Sequence, residues 1–358
     1  MRTLVDRLDT WSAIEKEWTR VYERSDAAFF LSPTWQETLL SLKPATIDTY
    51  CVRVFDDLRG VYGVALASTA PRAKFTHARE ARLHESADAS LDRIYVEYND
   101  ILLERDAPAE AREAAIEALI GAMPAVEEFV FRNMRPAFCA AAHMVAERLE
   151  LSLDDAASQP TYSIDLGGDP FDQFSHALRA KIRRAIRRYE ERGPVRLVRP
   201  ESEGERAVAW TELMRLHAQT WSRRGVEGAF GARDFTAFHE RLVERHPEKT
   251  DFLRILAGDE TIGVLYNIID RDAARNYQSG FQYESDNQLA PGFVAHALAA
   301  QRYRERGFSS YDMMAGDAEY KRRLGAKGES LTTIVLTRPT MRMKVRAALK
   351  SARRGPDA

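Results

Sequence analysis

The chain reads as an α/β (α+β) protein in which mixed sheets are flanked by helices. The first observation is the order of elements near the C-terminal end. A strand over Arg275–Tyr283 leads to a helix over Pro291–Arg306, a strand over Phe308–Met313, a short helix over Asp317–Leu324 and a β-branched strand over Leu331–Leu336. The second is a hairpin that occurs twice. Arg59–Leu66 and Glu260–Tyr266 each give a polar turn and then an apolar strand with glycine before valine, Gly63-Val64 and Gly263-Val264.

The correspondence continues downstream. A strand over Ile94–Leu103, a helix over Pro108–Ile120 and a strand over Phe129–Arg132 parallel the series that begins at Arg275. A repeated order at near-constant offset is what two copies of one α/β unit would produce; chance likeness of short hairpins is the alternative. Asp154–Pro160, acidic, small and proline-ended, reads as the crossover between the copies.

The helix from Pro291 is well bounded, with proline in its first turn, arginines in its last and Gly307 just beyond. Its start, Pro291-Gly292-Phe293-Val294, follows a strand and a polar turn. Such a start exposes N–H groups that suit a phosphate or pyrophosphate, although an ordinary strand–loop–helix connection has the same pattern. The first copy differs. Its helix opens Ala107-Pro108-Ala109-Glu110-Ala111-Arg112-Glu113, without glycine and with two carboxylates that would repel a pyrophosphate.

In 358 residues, 52 Lys+Arg stand against 54 Asp+Glu, a formal charge of -2, so bulk charge draws the chain neither to nucleic acid nor to anionic membrane. The cysteines, Cys51 and Cys139, lie far apart, which predicts no disulfide framework, no metal site and a reducing compartment. Arg2, Asp6, Arg7 and Asp9 rule out a signal peptide at the start of the sequence given, and no stretch is long and apolar enough to span a membrane. A soluble, cytoplasmic protein is the expectation.

Charge is concentrated locally. Arg179, Lys181, Arg183, Arg184, Arg187, Arg188 and Arg192 surround apolar Leu178, Ile182, Ile186 and Tyr189 at helical spacing. A solvated face explains this. So does a grip by Arg183 and Arg187, four apart, on a phosphorylated acceptor such as a nucleotide- or lipid-linked sugar or a tRNA end. No aromatic platform accompanies the run, so dedicated nucleic-acid binding is not expected. Pro339–Arg354 is also basic, a frayed tail or a weak contact with anionic membrane. His217 and Trp221, four apart on a helix, face one way, as core or as substrate contacts. Asp312, ending a strand, suits a general base, an acceptor-positioning group or a turn cap; Glu284 is a second candidate base.

Tyr277, Gly280 and Tyr283, then Pro291-Gly292, then Asp312-x-x-x-Gly316-x-x-x-Tyr320-Lys321 resemble the donor half of a GNAT-superfamily acetyltransferase of the FemAB-like, CelD-type group. Ser32-Pro33-x-Trp35, Tyr98-Asn99-Asp100 and the basic segment Arg179–Arg184 are similar to other parts of that group, and the likeness spans roughly residues 30–338. It implies tandem GNAT-like halves. Residues 1–155 would be non-catalytic and shape the acceptor cleft, 156–338 would hold the acyl-CoA site, and 339–358 would be a basic tail. It further implies acyl-CoA, foremost acetyl-CoA, as co-substrate without metal, and an amine acceptor, an amino sugar of a cell-envelope or exported polysaccharide. Tyr320 would protonate the leaving thiolate, a helix aromatic packed into the core being the alternative. Backbone N–H groups from Tyr277 onward would polarise the thioester carbonyl, with Gly280 marking an opening or bulge, and Lys321 would face a phosphate. Tyr277 would lie beside the substrate, as would His217 and Trp221 if their shared helix face meets the cleft. Two alternatives stand: aminoacyl-tRNA-dependent transfer to a peptidoglycan precursor, as FemAB proteins perform, or a non-catalytic binding module. The chain lacks the sustained heptads of the FemAB coiled-coil arm.

Overall fold

The computed structural model describes residues 1–69, 78–223 and 225–343. The chain folds as two compact units, Met1–Ser158 with the chain from Ser330 onward, and Gln159–Glu329. The first unit runs β1 (Arg2–Arg7), α1 (Glu15–Glu23), α2 (Pro33–Leu42), β2 (Asp48–Asp56), β3 (Gly60–Thr69), β4 (Glu80–Leu83), β5 (Leu102–Leu103), α3 (Ala111–Ala122), β6 (Glu128–Met134) and α4 (Pro136–Arg148). The chain passes to the second unit within β7 (Ser152–Asp165). There follow α5 (Pro170–Gln173), α6 (His176–Glu190), β8 (Val195–Val198), α7 (Glu203–Arg223), α8 (Arg233–Arg245), β9 (Thr250–Ala257), β10 (Glu260–Asp270), β11 (Ala273–Phe281), α9 (Pro291–Glu305), β12 (Ser310–Ala315), α10 (Glu319–Leu324) and β13 (Ala326–Thr337).

Both units use one plan. In the first, β1-β2-β3-β4 is antiparallel, β4 and β6 are parallel, and β13 closes antiparallel on β6. In the second, β8-β9-β10-β11 is antiparallel, β11 and β12 are parallel, and β7 closes antiparallel on β12. The repeated hairpins match to the residue. Each carries a bulge just before its glycine, leaving Tyr62 outside the register between Val61 and Gly63, and Ile262 between Thr261 and Gly263.

α3 and α4 cover a core around Ile116, Phe129, Phe131 and Phe138 in the first unit. In the second, α6 and α9 cover Ile182, Tyr189, Leu265, Val294 and Tyr303. α7, α8 and the turn between them bring Trp210, Phe230, Phe235 and His239 into one aromatic cluster with Phe252, Tyr266 and Tyr277. Ser32-Pro33-x-Trp35 is a helix start: the Ser32 hydroxyl accepts the Trp35 N–H at 3.2 Å, and the Trp35 ring packs edge-on to Phe29 and Phe30.

Four expectations change. Ile94–Leu103 is not the counterpart of β11; β4 is, and residues 84–101 form an inserted segment, after which Leu102–Leu103 pair with β3, while Asn99 makes a single bridge to Met134. Asp154–Pro160 is no loop but lies inside β7, whose exposed residues lack the apolar alternation that marks a strand. The boundary expected at 338 moves back to Glu329, because from Thr332 onward β13 pairs with β6. The basic tail is tethered where it is described: Arg342 pairs with Glu127 and Met343 is buried. Residues 344–358 lie outside the described residues.

Candidate active site

The parallel ladder between β11 and β12 is short, with register partners Ala273–Ser310, Ala274–Tyr311 and Arg275–Asp312. Beyond that rung β11 bulges. Asn276 faces Asn267 and Gln278 faces Tyr266, so Tyr277 is the extra residue. β12 carries on to Ala315, opposite Thr161 on its other side. A bulge turns backbone N–H groups away from the ladder, and this one lies where the two strands part. It falls at Tyr277 rather than Gly280. A Cβ on Gly280 would sit 2.8 Å from the Leu216 Cβ and 2.9 Å from the Leu213 carbonyl, so this glycine admits α7 to the sheet rather than opening it.

α9 begins above the same region. Ala290 at its N-cap is left-handed (φ 40°) and offers no side-chain cap, and its first turn contains no acid. Phe293 and Val294 N–H groups turn to the Ala290 carbonyl, and Pro291 has none, so Gly292 carries the remaining first-turn donor. Cations flank the spot. Lys181 Nζ of α6 lies 4.4 Å from the Phe293 ring centre and the Arg323 guanidinium of α10 5.1 Å. A short helix start with positive charge beside it is an anion site in its chemistry.

One turn into α9, His296 is fully buried. Its Nδ1 hydrogen-bonds the Tyr311 hydroxyl at 2.9 Å, and its ring lies flat against that of half-buried Tyr320, with centroids 5.0 Å apart and planes 7° apart. Burial pulls the imidazole down to about 3, with Lys321 adding to the effect, so it is neutral at physiological pH. Tyr320 is thus held at the start of α10 beside α9. Lys321 is not. It is 8% exposed and donates to the Met314 and Ala315 carbonyls at the end of β12, so its expected contact with a donor phosphate gives way to capping the strand.

Asp312 is committed as well. It is buried, ion-paired with Arg275, and accepts the Met314 N–H at 2.7 Å, which fits the cap and positioning readings better than a free base. Glu284 takes both Arg192 guanidinium nitrogens, at 2.9 and 2.8 Å, and the Tyr189 hydroxyl, which removes it as a base.

On the opposite face of β11, His217 is buried and hydrogen-bonded to Gln278, next to the bulge. Its Nδ1 has no hydrogen-bond partner, and burial lowers the ring to about 4. His217, Met214, Ser222, Gly228 and Phe230 line a cleft of about 500 Å³. Trp221 stands beside it, 5.8 Å from His217 ring to ring. The Tyr277 side chain instead packs inward among Phe235, His239 and Tyr266, so only its backbone is placed for a substrate.

Arg183 and Arg187 are exposed on α6 and point away from the packed face. α6 packs on α9, and Lys181 and Arg188 face the α9 start, the latter bonded to Gln288 and Asp286 in the preceding loop. The basic helix therefore lies beside the start of α9, although it is far from it in sequence. Sequence reasoning missed His296, which a lone histidine among alanines one turn past Pro-Gly does signal, and the Lys181 flank, which had no local signal.

Among the described residues, the first unit lacks this arrangement. Its parallel ladder ends at Arg82–Val130, and residues 84–110 fold back before α3, where the second unit uses only 282–290. Fully buried Asn99 donates to the Leu83 carbonyl of β4 at 3.1 Å and the Arg132 carbonyl of β6 at 3.3 Å, and its own oxygen meets His84 Nδ1 at 2.8 Å. Asp100 then binds Arg112 of α3 bidentately. Tyr98-Asn99-Asp100 is thus a tie across the parting strands.

Residues 176–322 match the acetyltransferase (GNAT) domain model. No curated protein sequence matches the chain. Among solved structures, FemX is similar over 97% of this chain and 99% of its own, at 11% identity and a TM-score of 0.61. The C-terminal domain (DUF2156) of a putative lysylphosphatidylglycerol synthetase from Agrobacterium fabrum is similar over 96% of both chains, at 10% identity and 0.54. A tandem GNAT protein from the clavulanic acid biosynthesis pathway matches over 95% of this chain and 100% of its own, at 14% and 0.50. Among the described residues no helix is long and apolar enough to cross a membrane. Over residues 176–322 the chain is similar to the acetyltransferase (GNAT) domain family, and its fold is that of tandem GNAT proteins.

Proposed function

We propose that the second unit moves an acyl group from acyl-CoA, foremost acetyl-CoA, to an amine, and that the first unit has no donor site of its own. The observation that carries this is the contrast between the two parting strand pairs. In the second unit the bulge at Tyr277, the α9 start at Pro291–Gly292 and Tyr320 converge. In the first unit Asn99 ties the strands together.

The donor pyrophosphate lies at the Gly292 N–H with Lys181 and Arg323 at its flanks, and the pantetheine arm runs between β11 and β12. Backbone N–H groups at the bulge hydrogen-bond the thioester carbonyl. The acceptor occupies the cleft at His217, whose neutral ring accepts a hydrogen bond. The amine nitrogen attacks the carbonyl carbon, the carbon–sulfur bond breaks, and Tyr320 gives its proton to the departing sulfur. The amine proton leaves to solvent, from which the Tyr320 phenolate regains a proton, and the products are an amide and the free thiol. Asp312 positions the end of β12 through Arg275. An amino sugar of a cell-envelope or exported polysaccharide is the acceptor class that the sequence resemblance supports.

Native mass spectrometry of the purified protein tests the donor. A co-purifying CoA species supports the reading. Transfer that requires charged tRNA and ignores acyl-CoA overturns it in favour of an aminoacyl donor, a reading that the exposed Arg183, Arg184 and Arg187 on the donor-side helix keep in play.

A further inference from the structure

The aromatic rings behind Tyr320 form one continuous chain through the second unit. Asp251 on β9 is buried and accepts the Tyr303 hydroxyl of α9 at 3.0 Å. The Tyr303 ring stacks on Tyr311 of β12, with centroids 5.6 Å apart and planes at 22°. The Tyr311 hydroxyl bonds His296 Nδ1, and the His296 ring lies flat on Tyr320. Every member before Tyr320 is at most 2% exposed, so each ring is held by core packing. Tyr320 is half-buried on a short helix and packs against the same core.

We propose that His296 is a positioning residue for transfer: it fixes the plane of the Tyr320 ring, and with it the direction of the phenol, by offering a flat surface locked through Nδ1 to Tyr311. This rests on the reading of Tyr320 as the proton donor to the leaving sulfur. A second ring on α9 would pack there equally well, but only one with a polar edge can satisfy the buried Tyr311 hydroxyl. The imidazole does both. It remains neutral, so it places no positive charge under the phenol.

The test compares His296→Phe, which keeps a flat ring, with His296→Leu, which fills the volume without one; Tyr320→Phe is the control. With acetyl-CoA and glucosamine as probes, thiol release by His296→Leu should fall in kcat by about 10- to 100-fold, the range of a small misplacement, at an acetyl-CoA KM within about twofold of wild type. His296→Phe, which keeps the flat ring but loses the lock to Tyr311, should recover part of that loss. Independently of turnover, ¹³C-tyrosine NMR should show the Tyr320 ring signals losing their stacking-induced shift in His296→Leu and retaining it in His296→Phe. Unchanged Tyr320 signals in a folded His296→Leu protein would overturn the proposal, as would Phe and Leu variants equally slow. An inert Tyr320→Phe substitution would instead remove the acid role on which it rests.

Discussion

Arg275 on β11 and Asp312 on β12 are register partners in the last rung of the parallel ladder, and their side chains form an ion pair where the strands begin to part. Asp270 also holds Arg275, at 3.2 Å, so two acids share one half-buried guanidinium. Asp312→Asn would leave the Met314 N–H an acceptor but remove the charge. Breaking a buried pair from one side typically costs about 3–5 kcal/mol, and Asp270 should hold the loss toward the low end. Urea unfolding should show that loss. Unchanged stability with a missing acidic limb in the rate profile would restore Asp312 as a base.

The donor assignment separates the two units. A Cβ on Gly292 would rest 3.4 Å from the Phe281 ring, ordinary contact distance, so Gly292→Asp adds a charge without a clash. CoA affinity should fall by at least about tenfold, since the helix start then faces the pyrophosphate with a carboxylate. Ala109→Asp, ahead of α3 in the first unit, should leave it unchanged. Calorimetry with CoA that found the two variants alike would dismiss the second unit as the donor site.

Charge on α6 divides in the same manner. Lys181→Gln with Arg188→Gln should weaken CoA binding and flatten its salt dependence, because these face the start of α9. Arg183→Gln with Arg187→Gln, on the outward face, should leave CoA binding within about twofold, the scale of a screened surface charge. A rise in acceptor KM from the second pair alone would reinstate the outward face as an acceptor grip.

What the sequence made legible was whatever its side chains had to satisfy locally. The start and stop of α9 follow from Pro291 and Gly307, and the paired hairpins follow from Gly63 and Gly263 at matching bulges. Long-range pairing left no such trace. Ile94 and Val96 are apolar enough to read as a strand, yet they belong to a segment whose fold is set by Asn99 reaching two carbonyls. β7 is too exposed to alternate. Tyr320-Lys321 was visible as a motif, but two neighbours on a helix point about 100° apart, and only tertiary packing shows that the lysine turns inward.

Four buried histidines predict acid sensitivity. Burial lowers His84 and His217 to about 4 and His239 and His296 to about 3. Each is neutral when folded, whereas the unfolded chain takes up the proton near 6.5. Their contribution is therefore full above that value and is lost as pH falls toward 4. Each should remove about 1.4 kcal/mol per pH unit within that window. Unfolding free energies measured from pH 7 to 5 should fall steeply, and His296→Phe should reduce the slope by one histidine's share. A flat profile would mean that these rings gain charge without unfolding.

β13 is last in the second repeat yet completes the sheet of the first unit. Leu331, Ile334 and Leu336 are buried there, and Arg338 beyond them donates to the Val126 and Ile120 carbonyls at 2.8 and 2.6 Å. A chain ending at Glu329 would bare the β6 edge and uncover the core beneath α3 and α4, so the first unit should lose its structure. Ile334→Ala is the graded version. Truncating a fully buried isoleucine costs about 2–5 kcal/mol, and the loss should appear in the first unit. Hydrogen exchange reads this directly: amides of β6 should exchange faster in Ile334→Ala while those of β10 keep their protection. Equal acceleration in both strands would show that the units unfold as one, and β13 would then stabilise the whole chain rather than the unit it pairs with.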